Sequence, residues 1–185
     1  MGKVVYLMNV SLDGYVEDSA GKIDWTNPSE EVLRFHSELA RQIGGFLYGR
    51  RIYETMAVWH TIDEGRTLSG SMVEYAQIWK SKPKYVFSKT LGSVGENCHL
   101  VRGDVAAEVA GIKQQVQGDL GVCGPQLAGS LAGLGLIDEY QLVVYPTIVG
   151  GGKSYFPRTE AKIDLQLIES RVFGSGAVYL RYRRV

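Results

Sequence analysis

From Lys3 to Leu134, short apolar runs alternate with segments whose apolar residues recur every three or four positions. Residues 3–10, 46–49, 85–87, 98–101 and 120–123 have the length and the β-branched or aromatic content of buried strands. Between them Val32, Phe35, Leu39 and Ile43 mark one helix, and Met72, Tyr75, Ala76 and Trp79 another. Val105, Val109, Ile112 and Val116 mark a third, and residues 50–56 and 127–134 supply two shorter ones. Asn27 caps the first, with Pro28 at the first helical position and Glu30 three residues beyond the cap. Gly44-Gly45 ends that helix, Pro83 stops the second, and Asp104 and Gly118 bracket the third. Strands that alternate with helices of this length imply βαβ units and a mainly parallel sheet. After residue 139 the helical period disappears. Residues 140–149, 165–168 and 177–182 read as strands, which predicts an antiparallel edge.

The chain has 185 residues, enough for a single domain that buries about 70% of its unfolded surface. Lys plus Arg is 20 and Asp plus Glu is 20, so no global field draws it to nucleic acid or an anionic membrane. Residues 120–137 carry no charge, but five glycines, Pro125, Gln126 and Ser130 exclude a membrane span. Cys98 and Cys123 form no CxxC, and His36, His60 and His99 have no ligand spacing, so no metal is expected. No signal peptide is read at the N-terminus. A reducing compartment follows from the cysteines, and a cytoplasmic protein is expected.

In open parallel sheets ligands bind beyond the carboxyl ends of the strands. Three loops stand there. Gly124-Pro125-Gln126-Leu127 opens a helix, where free N–H groups and the helix dipole suit a phosphate; a plain turn is the other reading. Gly49-Arg50-Arg51 offers two guanidinium forks, or solvated surface charge. Ser88-Lys89-Thr90 adds a hydroxyl, an ammonium and a hydroxyl. Taken together they fit a ligand with several phosphates. Gly150-Gly151-Gly152-Lys153-Ser154 ends like a phosphate-binding loop, but Thr147 stands where its first glycine belongs, so it reads as a turn. Cys123 reads as a small core residue. Asp13, Glu17, Asp18, Asp24 and Glu30 surround the polar stretch after the first strand. A buried carboxylate there can relay a proton; Asp13-Gly14 as a turn and Glu30 as part of a cap are the competing readings. Trp25 is a pocket wall or core.

Five segments, in order, carry a resemblance. They are residues Ser11-Leu12-Asp13-Gly14-Tyr15-Val16, then Tyr48-Gly49-Arg50-Arg51-Ile52-Tyr53-Glu54, then Tyr85-Val86-Phe87-Ser88-Lys89. Val122-Cys123-Gly124-Pro125-Gln126-Leu127 follows, and the last runs from Tyr145-Pro146 through Gly151-Gly152-Lys153 to Phe156-Pro157. The chain resembles the dihydrofolate reductase-like superfamily. It is most similar to the reductase domain of the riboflavin-biosynthesis deaminase-reductase (RibD C-terminal) and to stand-alone bacterial proteins of that branch. The resemblance implies a three-layer α/β domain spanning residues 1–185, with antiparallel C-terminal edge strands. It implies an oxidoreductase that passes a hydride from NADPH to a small heterocycle of pterin, pyrimidine or related type.

The resemblance also places residues. Gly49, Arg50 and Arg51 hold the 2′-phosphate side of NADPH, with Ser88 and Lys89 at the same end. Gly124, Pro125, Gln126 and Leu127 cradle the pyrophosphate. The backbone of Met8, Asn9 and Val10 lies by the nicotinamide, and the stretch from Leu12 to Trp25 covers the site. The spacing from Trp25 to Glu30 puts Glu30 at the catalytic, substrate-binding carboxylate beside Trp25, with Asp13 second. Cys123 and Ile52 depart from the usual glycine and threonine, and Arg66 is the one candidate for a folate tail; folate is thus disfavoured as substrate. The alternative is a non-catalytic nucleotide-binding or dimeric module. A homodimer is expected, pairing through residues 140–149.

Overall fold

The computed structural model describes residues 2–62, 68–156 and 162–185; Arg66 and Pro157 lie outside them. In chain order the elements are β1 (Val4–Ser11), β2 (Tyr15–Asp18), α1 (Glu30–Gln42), β3 (Ile43–Gly49), α2 (Arg50–Met56), α3 (Gly70–Ser81), β4 (Lys84–Phe87) and β5 (Cys98–Val101). There follow α4 (Val105–Gln115), β6 (Asp119–Cys123), α5 (Pro125–Gly133), β7 (Glu139–Tyr145), β8 (Gly152–Ser154), β9 (Leu165–Val172) and β10 (Val178–Arg184).

Eight strands form one sheet in the order β5-β4-β3-β6-β1-β7-β10-β9. The first six run parallel, and β10 and β9 complete the sheet antiparallel, as the loss of helical period after residue 139 predicted. Helices cover both faces. Val109 and Ile112 of α4 and Leu127 and Leu131 of α5 pack on Val4, Tyr6 and Val122. On the other face Val32, Phe35 and Leu39 of α1 pack on Val143 and Tyr179, and Trp79 of α3 packs on Phe46, Tyr48 and Val86. These are the three layers of the dihydrofolate reductase-like fold.

Several boundaries differ from the sequence reading. Ser29, not Asn27, caps α1, its hydroxyl accepting the Val32 N–H, so Glu30 is the first helical residue and Pro28 stays outside. No loop follows α1, because Ile43, Gly44 and Gly45 are already strand. A β-carbon on Gly44 would fall 2.1 Å from the Gln117 carbonyl oxygen, so the start of β3 can pass the α4–β6 connection only as glycine. The strand expected over residues 140–149 stops at Tyr145, before Pro146. It is also interior, paired to β1 on one side and β10 on the other, so it is not a surface for a second chain. The open apolar edge is β9, where Leu167, Ile168 and Val172 are exposed.

The polar stretch after β1 and the turn expected in the glycine run after β7 carry no strand pattern in the sequence. Part of each pairs instead as the ribbon β2–β8, with Tyr15 opposite Ser154 and Asp18 opposite Gly152. Tyr155, fully buried, fixes the ribbon to the sheet. Its ring stacks on Tyr6 at 4.2 Å, and each tyrosine hydroxyl donates to the other's carbonyl at 3.0 Å. Among the described residues no helix is long and apolar enough to cross a membrane.

Candidate active site

A cavity of about 440 Å³ opens beyond the carboxyl ends of β1, β3 and β6. Leu7, Met8 and Asn9 of β1 form one wall, and Gly49, Arg50, Arg51, Ile52, Thr55 and Met56 another. Cys123 and the turn Gly124-Pro125-Gln126-Leu127 close it from β6. Val16, Glu17, Gly21, Ile23 and Thr26 come from the stretch after β1, with His36 from α1, Tyr75 from α3 and Lys153 from β8. The lining is mostly apolar with a few convergent polar groups, as small-molecule sites usually are.

The turn after β6 has the geometry its sequence suggested. Gly124 sits at φ 98°, a conformation that L side chains avoid, and Pro125 takes the first helical position of α5. The Gly124 N–H donates to Met8 Sδ at 3.2 Å, which ties the turn to β1. A β-carbon on Gly124 would stand 3.1 Å from Ile52 Cγ2. Gly124→Ala is therefore expected to cost about 1–3 kcal/mol in a denaturant titration. A cost near zero would mean that the turn relaxes freely.

The arginine pair, the first two residues of α2, is poised differently from the Ser-Lys loop. Arg50 Nε donates to Glu54 at 2.8 Å and its Nη1 donates to Thr90 Oγ1 at 3.1 Å, so Thr90 joins the two loops. Ser88 and Lys89 lie outside the cavity lining. Ser88 Oγ accepts the N–H groups of Thr90 and Leu91, and the Lys89 carbonyl accepts from Arg102.

The structure separates the expected carboxylates from the cavity lining. Glu30 is exposed and accepts a hydrogen bond from the Ser71 hydroxyl, at the contact of α1 with α3. Asp13 ties the ribbon together: its carboxylate accepts from Ser11 Oγ at 2.7 Å, Val149 N at 3.2 Å and Gly150 N at 2.8 Å. The Ser11 hydroxyl, aided by those amides, holds the Asp13 carboxyl below its usual range. Trp25 packs edge-on against Tyr145 at 6.1 Å, while its neighbours Ile23 and Thr26 reach the cavity. Val10 points to the opposite side of β1, into the core beneath α4 and α5.

Inside the cavity stand Glu17, one of the carboxylates weighed for proton relay, and two residues with no site role in the sequence reading, Lys153 and His36. Glu17 and Lys153 face each other across the β2–β8 ribbon, with Lys153 Nζ 2.7 Å from Glu17 Oε1. The two are 136 residues apart, so no local pattern links them. His36 follows the buried Val32 by four positions, which puts both on the inner side of α1. That spacing was the available signal. Burial drives the His36 imidazole down to about 4, so it is neutral at neutral pH. Burial likewise pushes the Cys123 thiol up to about 12, so this cavity-lining cysteine is a protonated thiol at neutral pH and not a nucleophile. Among the described residues no group of three or more His, Cys, Asp or Glu is placed to hold a metal ion.

Comparison with known proteins places this geometry. The family model of the RibD C-terminal domain matches residues 2–179. The chain is 27% identical to YyaP of Bacillus subtilis (strain 168), with 97% of this chain and 94% of that protein covered. A putative riboflavin biosynthesis protein from Shewanella sp. PV-4 superimposes with a TM-score of 0.78 at 24% identity, covering 99% of both chains. Dihydrofolate reductase from Enterococcus faecalis, complexed with NADP(H) and RAB-propyl, superimposes with a TM-score of 0.65 at 17% identity, covering 99% of this chain and 96% of that one.

Proposed function

The chain belongs to the RibD C-terminal domain family, and from that premise we propose that it is an NADPH-dependent reductase of a small uncharged heterocycle, working as a single domain. The observation that carries the reading is one cavity reached by both the Gly124 turn and the Arg50-Arg51 pair. The N–H groups of Gln126 and Leu127, at the start of α5, suit the pyrophosphate. Arg50 and Arg51 suit the 2′-phosphate that distinguishes NADPH from NADH. The positive φ of Gly124 and its close approach to Ile52 disfavour a β-carbon there, which fits a backbone cradle. Bound NADPH supplies a hydride. Ser88 holds the Thr90 backbone, and Thr90 in turn accepts from Arg50, so the Ser-Lys loop supports the start of α2. Met8 and Asn9 bound the inner end, where the two reactants meet; Val10 contributes backbone alone.

Glu30 and Asp13 are the carboxylates that the resemblance implies for proton delivery. Their positions weigh against direct contact with a substrate. The proton-carrying pair that does line the cavity is Glu17 with Lys153, and the reading gives it the delivery, directly or through water. A homodimer is part of the reading, for which the β9 edge offers the apolar strand. The cytoplasm, where NADPH is held reduced, is the expected compartment.

Titration of the purified protein with NADPH and with NADH, followed by tryptophan fluorescence, tests the reading; Trp25 stands beside the cavity residues Ile23 and Thr26. NADPH is expected to bind at least about tenfold more tightly than NADH. Failure to bind either would overturn the assignment.

A further inference from the structure

Among the described residues four buried side-chain polar atoms have no hydrogen-bond partner: Asn9 Oδ1, His36 Nε2, Ser37 Oγ and Tyr145 Oη. Two of the four, Asn9 Oδ1 and His36 Nε2, belong to residues that line the cavity. They come from different elements on one side of the sheet. Asn9 stands on β1 two residues beyond Leu7, which packs with α1, and His36 stands on α1 itself. The same cavity is also lined by the apolar Leu7, Ile23 and Met56 and by Tyr75. Buried polar atoms are almost always paired, and an unpaired one is costly unless something else satisfies it. Two in one cavity point to a ligand that does so.

We infer that Asn9 and His36 form the specificity-determining pair of the substrate half of the cavity, reading the lactam edge of an uncharged nitrogen heterocycle. The inference rests on the reductase reading and names its substrate class. An amide head offers an acceptor and a donor side by side, the complement of a –C(=O)–NH– edge. Asn9 Oδ1 accepts the ring N–H, and the neutral imidazole of His36 makes one further hydrogen bond through Nε2. Charge has no place at this end. The cavity's carboxylate and ammonium, Glu17 and Lys153, already neutralise each other at 2.7 Å. Arg50 is engaged by Glu54 and Thr90 at the cofactor end. A charged substituent beside Asn9 and His36 would lose its hydration without gaining a counter-ion.

The test uses the NADP⁺-saturated protein and three fluorescent probes: lumazine, 1,3-dimethyllumazine, which lacks both ring N–H groups, and 6-carboxylumazine, which carries a charge. Lumazine is expected to bind at least about tenfold more tightly than either of the others. Asn9→Leu and His36→Leu should each abolish that preference, and His36→Gln should restore part of it. NADPH affinity should stay within about twofold in both His36 variants. Both leucine variants should fold with equal or higher thermal stability, because each removes an unpaired buried polar atom. A purely structural pair would lose stability and keep the preference. Equal binding of lumazine and its dimethyl form by the wild type overturns the inference. So does a tenfold loss of NADPH affinity in His36→Leu, which would assign His36 to the cofactor. If the wild type binds NADPH but no lumazine, this inference fails and the reductase reading stands; if it binds no NADPH, both fail.

Discussion

Glu139→Ala is expected to lower the stability of the protein by about 3 kcal/mol, the lower end of the range for breaking a buried ion pair. Glu139 opens β7, with only 2% of its side chain exposed, and it is fully engaged. Oε1 accepts from Lys3 Nζ at 2.6 Å and from Arg181 Nη2 at 3.1 Å, and Oε2 accepts from Arg181 Nε at 2.8 Å. Lys3 precedes β1 and Arg181 lies on β10, so one carboxylate ties the parallel half of the sheet to its antiparallel edge. Removing it leaves Arg181 without its fork partner. Arg181 retains 24% exposure and can recover some hydration, which keeps the loss at the lower end. For a chain of this size the loss corresponds to a fall in Tm of roughly 6–12 °C.

The same carboxylate shapes the acid limb of stability. Burial by itself would raise the Glu139 pKa, but the hydrogen bonds from Arg181 and Lys3 outweigh it, and the folded-state value lies below the ordinary one. A group depressed on folding contributes stability that is complete above its unfolded pKa and is lost as the pH falls through the folded one. Denaturant titrations from about pH 7 down to about pH 3 should show this loss in the wild type and a flatter limb in Glu139→Gln. A Glu139→Ala cost below about 1 kcal/mol would class the cluster with ordinary surface bridges.

What the sequence disclosed follows from which signals are local. Strand and helix periods are local, so the alternation through Leu134 and the antiparallel finish were legible, as was the Gly124 turn, whose glycine and proline specify their own backbone. Pairing across the chain is not local. The β2–β8 ribbon joins residues 136 positions apart, and neither partner carries a strand pattern, since Tyr15–Asp18 is four residues and Gly152–Ser154 three. For that reason the sequence offers Glu17 as one of five carboxylates and Lys153 as the end of a failed phosphate loop, and not as one ion pair in the cavity. The cap of α1 shows a closer contest. Asn27 and Ser29 are both good caps, and the choice of Ser29 moves Glu30 from the third helical position to the first, where its carboxylate meets Ser71. A shift of two residues at a helix start thus takes Glu30 out of the capping-box position.

Arg50→Ala is expected to weaken NADPH binding by about 10- to 100-fold and to leave NADH binding nearly unchanged. A hydrogen bond to a charged group contributes about 1.5–3 kcal/mol, which sets that range, and only NADPH carries the 2′-phosphate. The fork of Arg50 is already oriented, with Nε held by Glu54 at 2.8 Å and Nη1 by Thr90 at 3.1 Å, so little rotamer freedom remains to be lost on binding. Arg50→Lys keeps the charge without the fork and should fall between the two. Stability should scarcely change, because the Arg50–Glu54 pair is about half exposed on each side, and i,i+4 surface pairs contribute only about 0.3–0.5 kcal/mol. The selectivity of the wild type for NADPH should also shrink as salt is raised, since an exposed guanidinium–phosphate contact is screened. Fluorescence titration of both cofactors against both variants reads all of this. Equal losses for NADPH and NADH in Arg50→Ala would remove Arg50 from the 2′-phosphate and pass the discrimination to Arg51, which lines the same cavity from the next position of α2.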